Sequence, residues 1–523
     1  MFSIATIAVF AFFGFSLFKF FHRSSGKYKN YSLPPGPSPW PIIGCLTQML
    51  KAENKYKWIF GLMKGLNTGI LCIRIGNVHV IPVISPKIAS EFLKEKDAIF
   101  VARPKSLAAA LVSHGYMGTV LSSGNQWTKM RKMLTQELFS PAMHKWFHEK
   151  RVEETDNLVA YVYNLLDGVV DLRKTTFYYS TNVIRRLMFN KRYFGEVMPD
   201  KGPGALEQEH ADSVMQTLKY TFSFAISDFF PTLTGVDFDG KEKNAVEAVK
   251  ALEKYQNPII EERIRKWRKT SNSSSNHTDK EDMLDIMVNL KDSDGKPLLS
   301  EAEIKGQVNE LIIGATDNSS NAVEWAMAEM LNQPSIMRKA VEELDLVVGK
   351  ERLVQESDIP ELKYIKAILM EAFRLHPVQP FIPPHFATKD AVVGGYLIPK
   401  GSHILISRYG VGRNPEAWED PLTFDPERHV KSGAALRRVI TDPTLGFITF
   451  GVGRRSCVAA TLGTTMTVML LARLLHAFDW TLPRGTTKVN LDECEDELFL
   501  AEPLRACATP RLPSHLYQFE NGI

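Results

Sequence analysis

The feature that most limits what this chain can fold into is the stretch 459–478, AATLGTTMTVMLLARLLHAF. A helix that is apolar on nearly every side has to be enclosed. Arg473, His476 and Asp479 cut this one too short to span a bilayer, so it reads as a buried core helix. Directly before it stand Phe450-Gly451-Val452-Gly453-Arg454-Arg455-Ser456-Cys457. Two glycines allow a turn that brings backbone amides near a sulfur. A cysteine at a helix amino terminus has its thiolate favoured by the dipole and by exposed N–H donors, which makes it a good iron ligand. The plainer reading is an inert cysteine in a glycine-rich turn, the usual fate of a lone Cys. On these residues alone the plainer reading prevails.

The rest of the chain supplies the body such a helix needs. With 523 residues, 44% of them hydrophobic, a large core is available. Helical spacing dominates: Ile304, Val308, Leu311 and Ile312 recur on one face, as do Ile365, Ile368, Leu369 and Phe373. Strand signals are fewer, in 69–82 and in Gly394–Pro399, so the expected class is mostly α (α+β), a helical body with small β-sheets. The 63 Lys and Arg nearly balance the 59 Asp and Glu, which gives no electrostatic reason to expect nucleic acid. The five cysteines (Cys45, Cys72, Cys457, Cys494, Cys507) are odd in number and contain no CxxC pair, against a disulfide framework or a zinc site and in keeping with a reducing compartment.

Residues 2–18, FSIATIAVFAFFGFSLF, carry no charge, and Lys19 can snorkel, so 1–21 is expected to be one transmembrane helix. A cleaved signal peptide is the rival, but it wants a basic start and a small-residue cleavage site, and neither precedes Arg23. Lys19, Arg23, Lys27 and Lys29 lie on the carboxyl side, which leaves the body in the cytosol. Residues 22–45, basic and then proline-rich through Pro34, Pro35, Pro37, Pro39 and Pro41, form a semi-rigid hinge or an ordinary linker ahead of a domain spanning 46–523. The tract 270–279 is expected to be a solvated loop. It carries sequons at Asn272 and Asn276, with another at Asn30, and a cytosolic body leaves all of them unmodified.

FGVGRRSCVA resembles the FxxGxRxCxG haem-binding signature of the cytochrome P450 family, with Phe450, Gly453, Arg455 and Cys457 in place and Ala459 where the last glycine stands. Glu371-Ala372-Phe373-Arg374 is similar to the family's ExxR pair, and Pro426-Glu427-Arg428-His429 to its PERF-like motif. The resemblance covers essentially the whole chain. It implies haem b with Cys457 as axial ligand, and Glu371, Arg374 and Arg428 as the buried network holding the haem loop. Breaking such a network costs roughly 3 to 5 kcal/mol. It also implies Trp127, Arg131, His385 and Arg455 as propionate donors, where the plain readings are a core tryptophan and solvated arginines. In the polar run Gly314–Asn321 it places the AGxDTT segment, with a local widening of the helix for dioxygen and an acid–alcohol relay. Asp317 supplies the acid. Asn318 stands at the alcohol position, with Ser319 or an ordered water as substitutes, and a kink satisfied by its own side chains is the plain alternative.

TDNSSNAVEWAMAEML, the segment from His376 to His429, and LGTTMTVMLLARLLHAFDW narrow the likeness to plant amino-acid N-hydroxylases that make aldoximes for glucosinolates and cyanogenic glycosides. Gly451-Val452, Ser456 and Ala459 depart from that group's usual pattern. The resemblance implies an NADPH- and O2-dependent monooxygenase in the endoplasmic reticulum membrane, facing the cytosol, fed by NADPH-cytochrome P450 reductase and acting on an amino acid. Expected pocket walls are Leu107–Gly118, the helix at Gly314 and Ala315, Val378–Pro383, and Leu498–Glu502. Lys129 and Lys132 form a reductase-docking face or simply a solvated helix face. A haem-thiolate isomerase or dehydratase needing no oxygen, and a retired haem-binding protein, are the open alternatives.

Overall fold

The structure, a computed structural model, describes residues 30–519 except 167, 196–197, 200–201, 271–279 and 495–497. The expected anchor (1–21), the start of the hinge, and the tract with Asn272 and Asn276 lie outside the described residues. Among the described residues no helix is long and apolar enough to cross a membrane. The family expectation of a mostly helical body with small sheets is met.

The elements that position the site are α1 (Gly124–Met133), α2 (Glu301–Asn332), α3 (Lys363–Leu375) and α4 (Ala460–Ala477). α4 is buried from Met466 to Ala477, as its composition requires. Two of the polar side chains that shortened its apolar run find partners within the fold. Arg473 pairs with Asp156 at 2.6 Å, and His476 meets Gly349 O and Val354 N at 2.8 and 3.2 Å. α2 begins at a capping box in which Ser300 Oγ accepts the Glu303 N–H and Glu303 accepts the Ser300 N–H. It crosses the main core beside α4, burying Ile304, Val308, Ile312 and Trp325.

Strands are short. β1 (Ile73–Ile75) and β2 (Val78–Val83) form a hairpin turned at Gly76 and Asn77, so the single strand signal of 69–82 is in fact two. β3 (Val170–Asp171) pairs with β9 (Arg505–Pro510), which also pairs with β8 (Phe478–Thr481). β4 (His385–Phe386) joins β7 (His403–Ile406), which runs parallel to β2 with Val80 opposite His403. β5 (Ala391–Val393) and β6 (Tyr396–Ile398) make a separate ribbon. The start of the proline stretch lies on this body: Cys72 N donates to Pro35 O at 2.8 Å and Leu397 N to Ser32 O, just before it, at 2.8 Å.

Candidate active site

The loop ahead of α4 turns through Gly451 and Gly453, with φ of 67° and 72°. A methyl on Gly453 would lie 2.0 Å from Leu93 O, so only glycine lets the loop approach the neighbouring chain this closely. The turn closes with Cys457 N donating to Phe450 O at 2.7 Å. The Ala459 N–H is directed to the Cys457 sulfur. Ala459 itself has φ of −98°, so it replaces the expected glycine without backbone strain. Cys457 has accessible surface, but that surface opens into an internal cavity of about 690 Å³ rather than to bulk water. Burial pushes its thiol up, while the Ala459 amide and the Arg408 and Arg131 charges pull it down, with burial the stronger.

Behind the loop sits a charge network in which Glu371, Arg374 and His429 are buried and Arg428 reaches in from the edge. Arg374 meets both oxygens of Glu371 at 2.7 Å. Arg428 adds a bond at 3.0 Å and His429 one at 2.8 Å. The remaining Arg374 donors go to Gly412 O, Pro421 O and Thr423 O. Trp418 carries the network toward the loop, because Arg374 and Arg428 lie over its ring at 5.2 and 5.7 Å while its Nε1–H donates to Gly446 O at 2.8 Å. Phe447 then packs edge-on against His429. His429 had been noted only as the end of a motif, and Trp418 had not been singled out. A buried histidine beside the arginine motif was the available signal.

Trp127, Arg131, Arg455 and His385 all line the cavity. Arg131 grips Ser456, by Nη1 to its carbonyl at 2.8 Å and Nη2 to its hydroxyl at 3.3 Å. Arg455 stacks on Trp127 at 4.6 Å and donates to Val101 O, Thr119 O and Ser122 O. Both arginines thus fasten the loop as well as face the cavity. Each guanidinium has five N–H donors, so some stay available to an anion. The Trp127 Nε1–H is buried without a partner. Burial, with the Arg103 and Arg455 charges, holds His385 well below its usual range, and its Nδ1 hydrogen-bonds to Phe100 O at 2.8 Å.

Arg103, absent from the sequence-based set, is buried against Pro383 O and Pro384 O. Glu310, also absent from it, accepts N–H bonds from Thr119, Val120 and Leu121 at 2.6, 2.7 and 3.2 Å, tying that loop to α2. The loop comes so near that a methyl on Gly118 would sit 2.3 Å from Glu310 Cδ. Burial lifts the Glu310 carboxyl to about 6 against the pull of these donors. Glu310→Gln, whose amide nitrogen cannot accept, is expected to cost about 1–3 kcal/mol. A lower thermal midpoint of the full chain would show it.

On the opposite side α2 runs unbroken from Glu301 to Asn332, with no local widening at its polar run. The polar side chains of the run are satisfied by their own helix, Thr316 bonding to Ile312 O, Asn318 to Gly314 O and Ser320 to Thr316 O at 2.8, 2.9 and 3.2 Å. Asp317 is fully buried, lines the cavity and lies in the field of Arg408. Asn318 offers no hydroxyl, whereas Ser319 accepts from the Thr467 hydroxyl of α4 at 2.8 Å, and both line the cavity.

Three expected pocket walls contribute to the lining, through Ala109 and Val112, Gly314 and Ala315, and Val378 to Pro383. The fourth does not: Leu498 O accepts from Trp325 Nε1 at 2.9 Å and Leu500 O from Arg173 at 2.7 Å, so that segment backs the core. Phe222, Phe224 and Phe229 line the cavity in addition. Lys129, read as part of a docking face or of a solvated helix face, is tied to Glu303 at 2.6 Å.

The residues fit a flat, anionic, iron-bearing group: a sulfur opening into the cavity, an orphaned indole N–H, and four half-buried arginines in a lining with few carboxylates. A family model described as "Cytochrome P450" matches residues 34–507. "Valine N-monooxygenase 1" of Manihot esculenta is 53% identical over 492 residues, covering 94% of this chain and 89% of its own. "Tryptophan N-monooxygenase 1" of Arabidopsis thaliana is 51% identical over 495 residues, covering 94% and 90%. "Tyrosine N-monooxygenase" of Sorghum bicolor is 49% identical over 495 residues, covering 93% and 88%.

Proposed function

Because this chain belongs to the cytochrome P450 family and is a haem-thiolate monooxygenase, we propose that it N-hydroxylates an amino acid and carries it on to the aldoxime. The observation that carries this reading is the Cys457 sulfur facing, across one mostly apolar cavity, a helix that presents Asp317. Bound haem supplies activation of dioxygen with electrons delivered from NADPH by a reductase. The chain's own residues do the rest. Arg131 and the Phe450 carbonyl hold the Cys457 loop. Trp127, Arg131, Arg455 and His385 are placed to meet propionates. Asp317 holds a proton near the reacting nitrogen, and the hydrogen-bonded Ser319 and Thr467 pair supplies the hydroxyl that Asn318 lacks.

The same reading includes an amino-terminal anchor at residues 1–21, the endoplasmic reticulum membrane, a cytosol-facing body, and a role in glucosinolate or cyanogenic glycoside metabolism. Its support is the uncharged run 2–18 with basic residues on the carboxyl side. The test is a product screen of the reductase-reconstituted enzyme against the protein amino acids and chain-elongated methionines. Aldoxime formed only with both NADPH and O2 is the expected result. Turnover without either would establish an isomerase or dehydratase instead.

A further inference from the structure

An amino-acid substrate enters this cavity with a carboxylate, and burying that charge in a mostly apolar lining is prohibitive unless a cation meets it. Of the arginines that line the cavity, Arg103, Arg131 and Arg455 are fastened to main-chain carbonyls of neighbouring segments. Arg408 differs. Its Nη2 reaches Thr449 O only at 3.4 Å, and its Nε–H is buried without a partner. Its backbone N–H is held by Pro380 O at 3.0 Å, so the side chain starts from the Val378–Pro383 wall.

Its electrostatic neighbours differ as well. Arg103 and Arg455 act on each other and on Glu310. Arg408 instead acts on Cys457 and Asp317, the sulfur on one side of the cavity and the acid of the helix on the other.

We propose that Arg408 is a carboxylate-binding residue of this cavity, taking the α-carboxylate of the amino-acid substrate; this rests on the amino-acid reading above. A guanidinium presents paired N–H donors that match both oxygens of a carboxylate. With the carboxylate held there, the α-nitrogen is kept in the part of the cavity that Cys457 and Asp317 share. The other carboxylates that enter are the porphyrin's propionates, for which Trp127, Arg131 and Arg455 carry N–H donors on the cavity lining.

The full-length haem enzyme is compared with Arg408→Gln and Arg408→Lys by optical titration with each protein amino acid and with the amine that lacks its carboxylate, haem content being measured alongside. In Arg408→Gln the Kd for the amino acid that binds the wild type is expected to rise about 10- to 100-fold, as for a lost charge-assisted bond. Lysine restores part of it, while amine binding and haem content stay unchanged. Equal changes for acid and amine, or none for either, overturn the assignment. Lost haem with amino-acid affinity intact in the haem-loaded fraction also overturns it, and gives Arg408 to a propionate. A wild type that responds to no amino acid sinks the amino-acid reading and this assignment together, whereas a responsive wild type confines any failure to Arg408.

Discussion

Cys457→Ser abolishes the thiolate signature: the reduced carbon-monoxide complex loses its strongly red-shifted Soret band, and monooxygenase turnover falls to background. The substitution is close to isosteric, and apart from the Ala459 N–H directed to the sulfur, which a serine oxygen can also accept, the contacts that shape the loop do not involve it. The Cys457 N–H still donates to Phe450 O, and Arg131 still grips Ser456. What is lost is the polarizable donor that pushes electron density onto iron, since a serine hydroxyl does not ionise to replace it. A spectrum of Cys457→Ser that keeps the red-shifted band would remove Cys457 from the ligand position.

Glu371→Gln is the second large effect, and it acts on the fold that presents the sulfur. Burial alone would raise the Glu371 carboxyl, but the bonds and charges of Arg374 and His429 outweigh it and hold the group at about 2. Its folded value is therefore depressed below the unfolded one. The stabilisation is fully present above about pH 4.5 and is lost as pH falls toward about 2, amounting to about 3 kcal/mol. Replacing the carboxylate leaves Arg374 and Arg428 buried beside a neutral amide, at a cost of roughly 3 to 5 kcal/mol. Because Trp418 links these guanidinium groups to Gly446, the damage passes to the Phe450–Cys457 loop. The expected result is protein recovered largely without haem and with a lower thermal midpoint. Full haem content and an unchanged midpoint in Glu371→Gln would show that the loop does not depend on the network.

Much of the site was readable in the chain because its parts are local. The Glu371 and Arg374 pair was fixed by one helical turn. The glycines of the cysteine loop announced a turn that no other residue could make at Gly453. What was missed depends on contacts between distant segments. Arg408 follows a strand, and no periodicity says that it will line a cavity with its Nε–H unpartnered. Glu310 lies among apolar neighbours on α2, and its purpose appears only when the Thr119–Leu121 amides arrive from nearly two hundred residues away in the sequence.

The same distinction explains the corrections. The resemblance puts Leu498–Glu502 in a pocket wall, but the segment lies behind α2, where Trp325 Nε1–H donates to the Leu498 carbonyl. The resemblance implies a widened helix at the polar run of α2, yet α2 is one regular helix there, with the run's hydroxyl and amide groups bonded to carbonyls one turn back.

The sequence by itself determined the periodic helices, the apolar helix behind the cysteine and the order of the charged motifs, because these follow from backbone preference and from spacing along one element. The tertiary structure alone decided which buried charges meet and which face open space. A side chain's partners inside a core are set by the packing of segments far apart in the chain, and no local pattern encodes them.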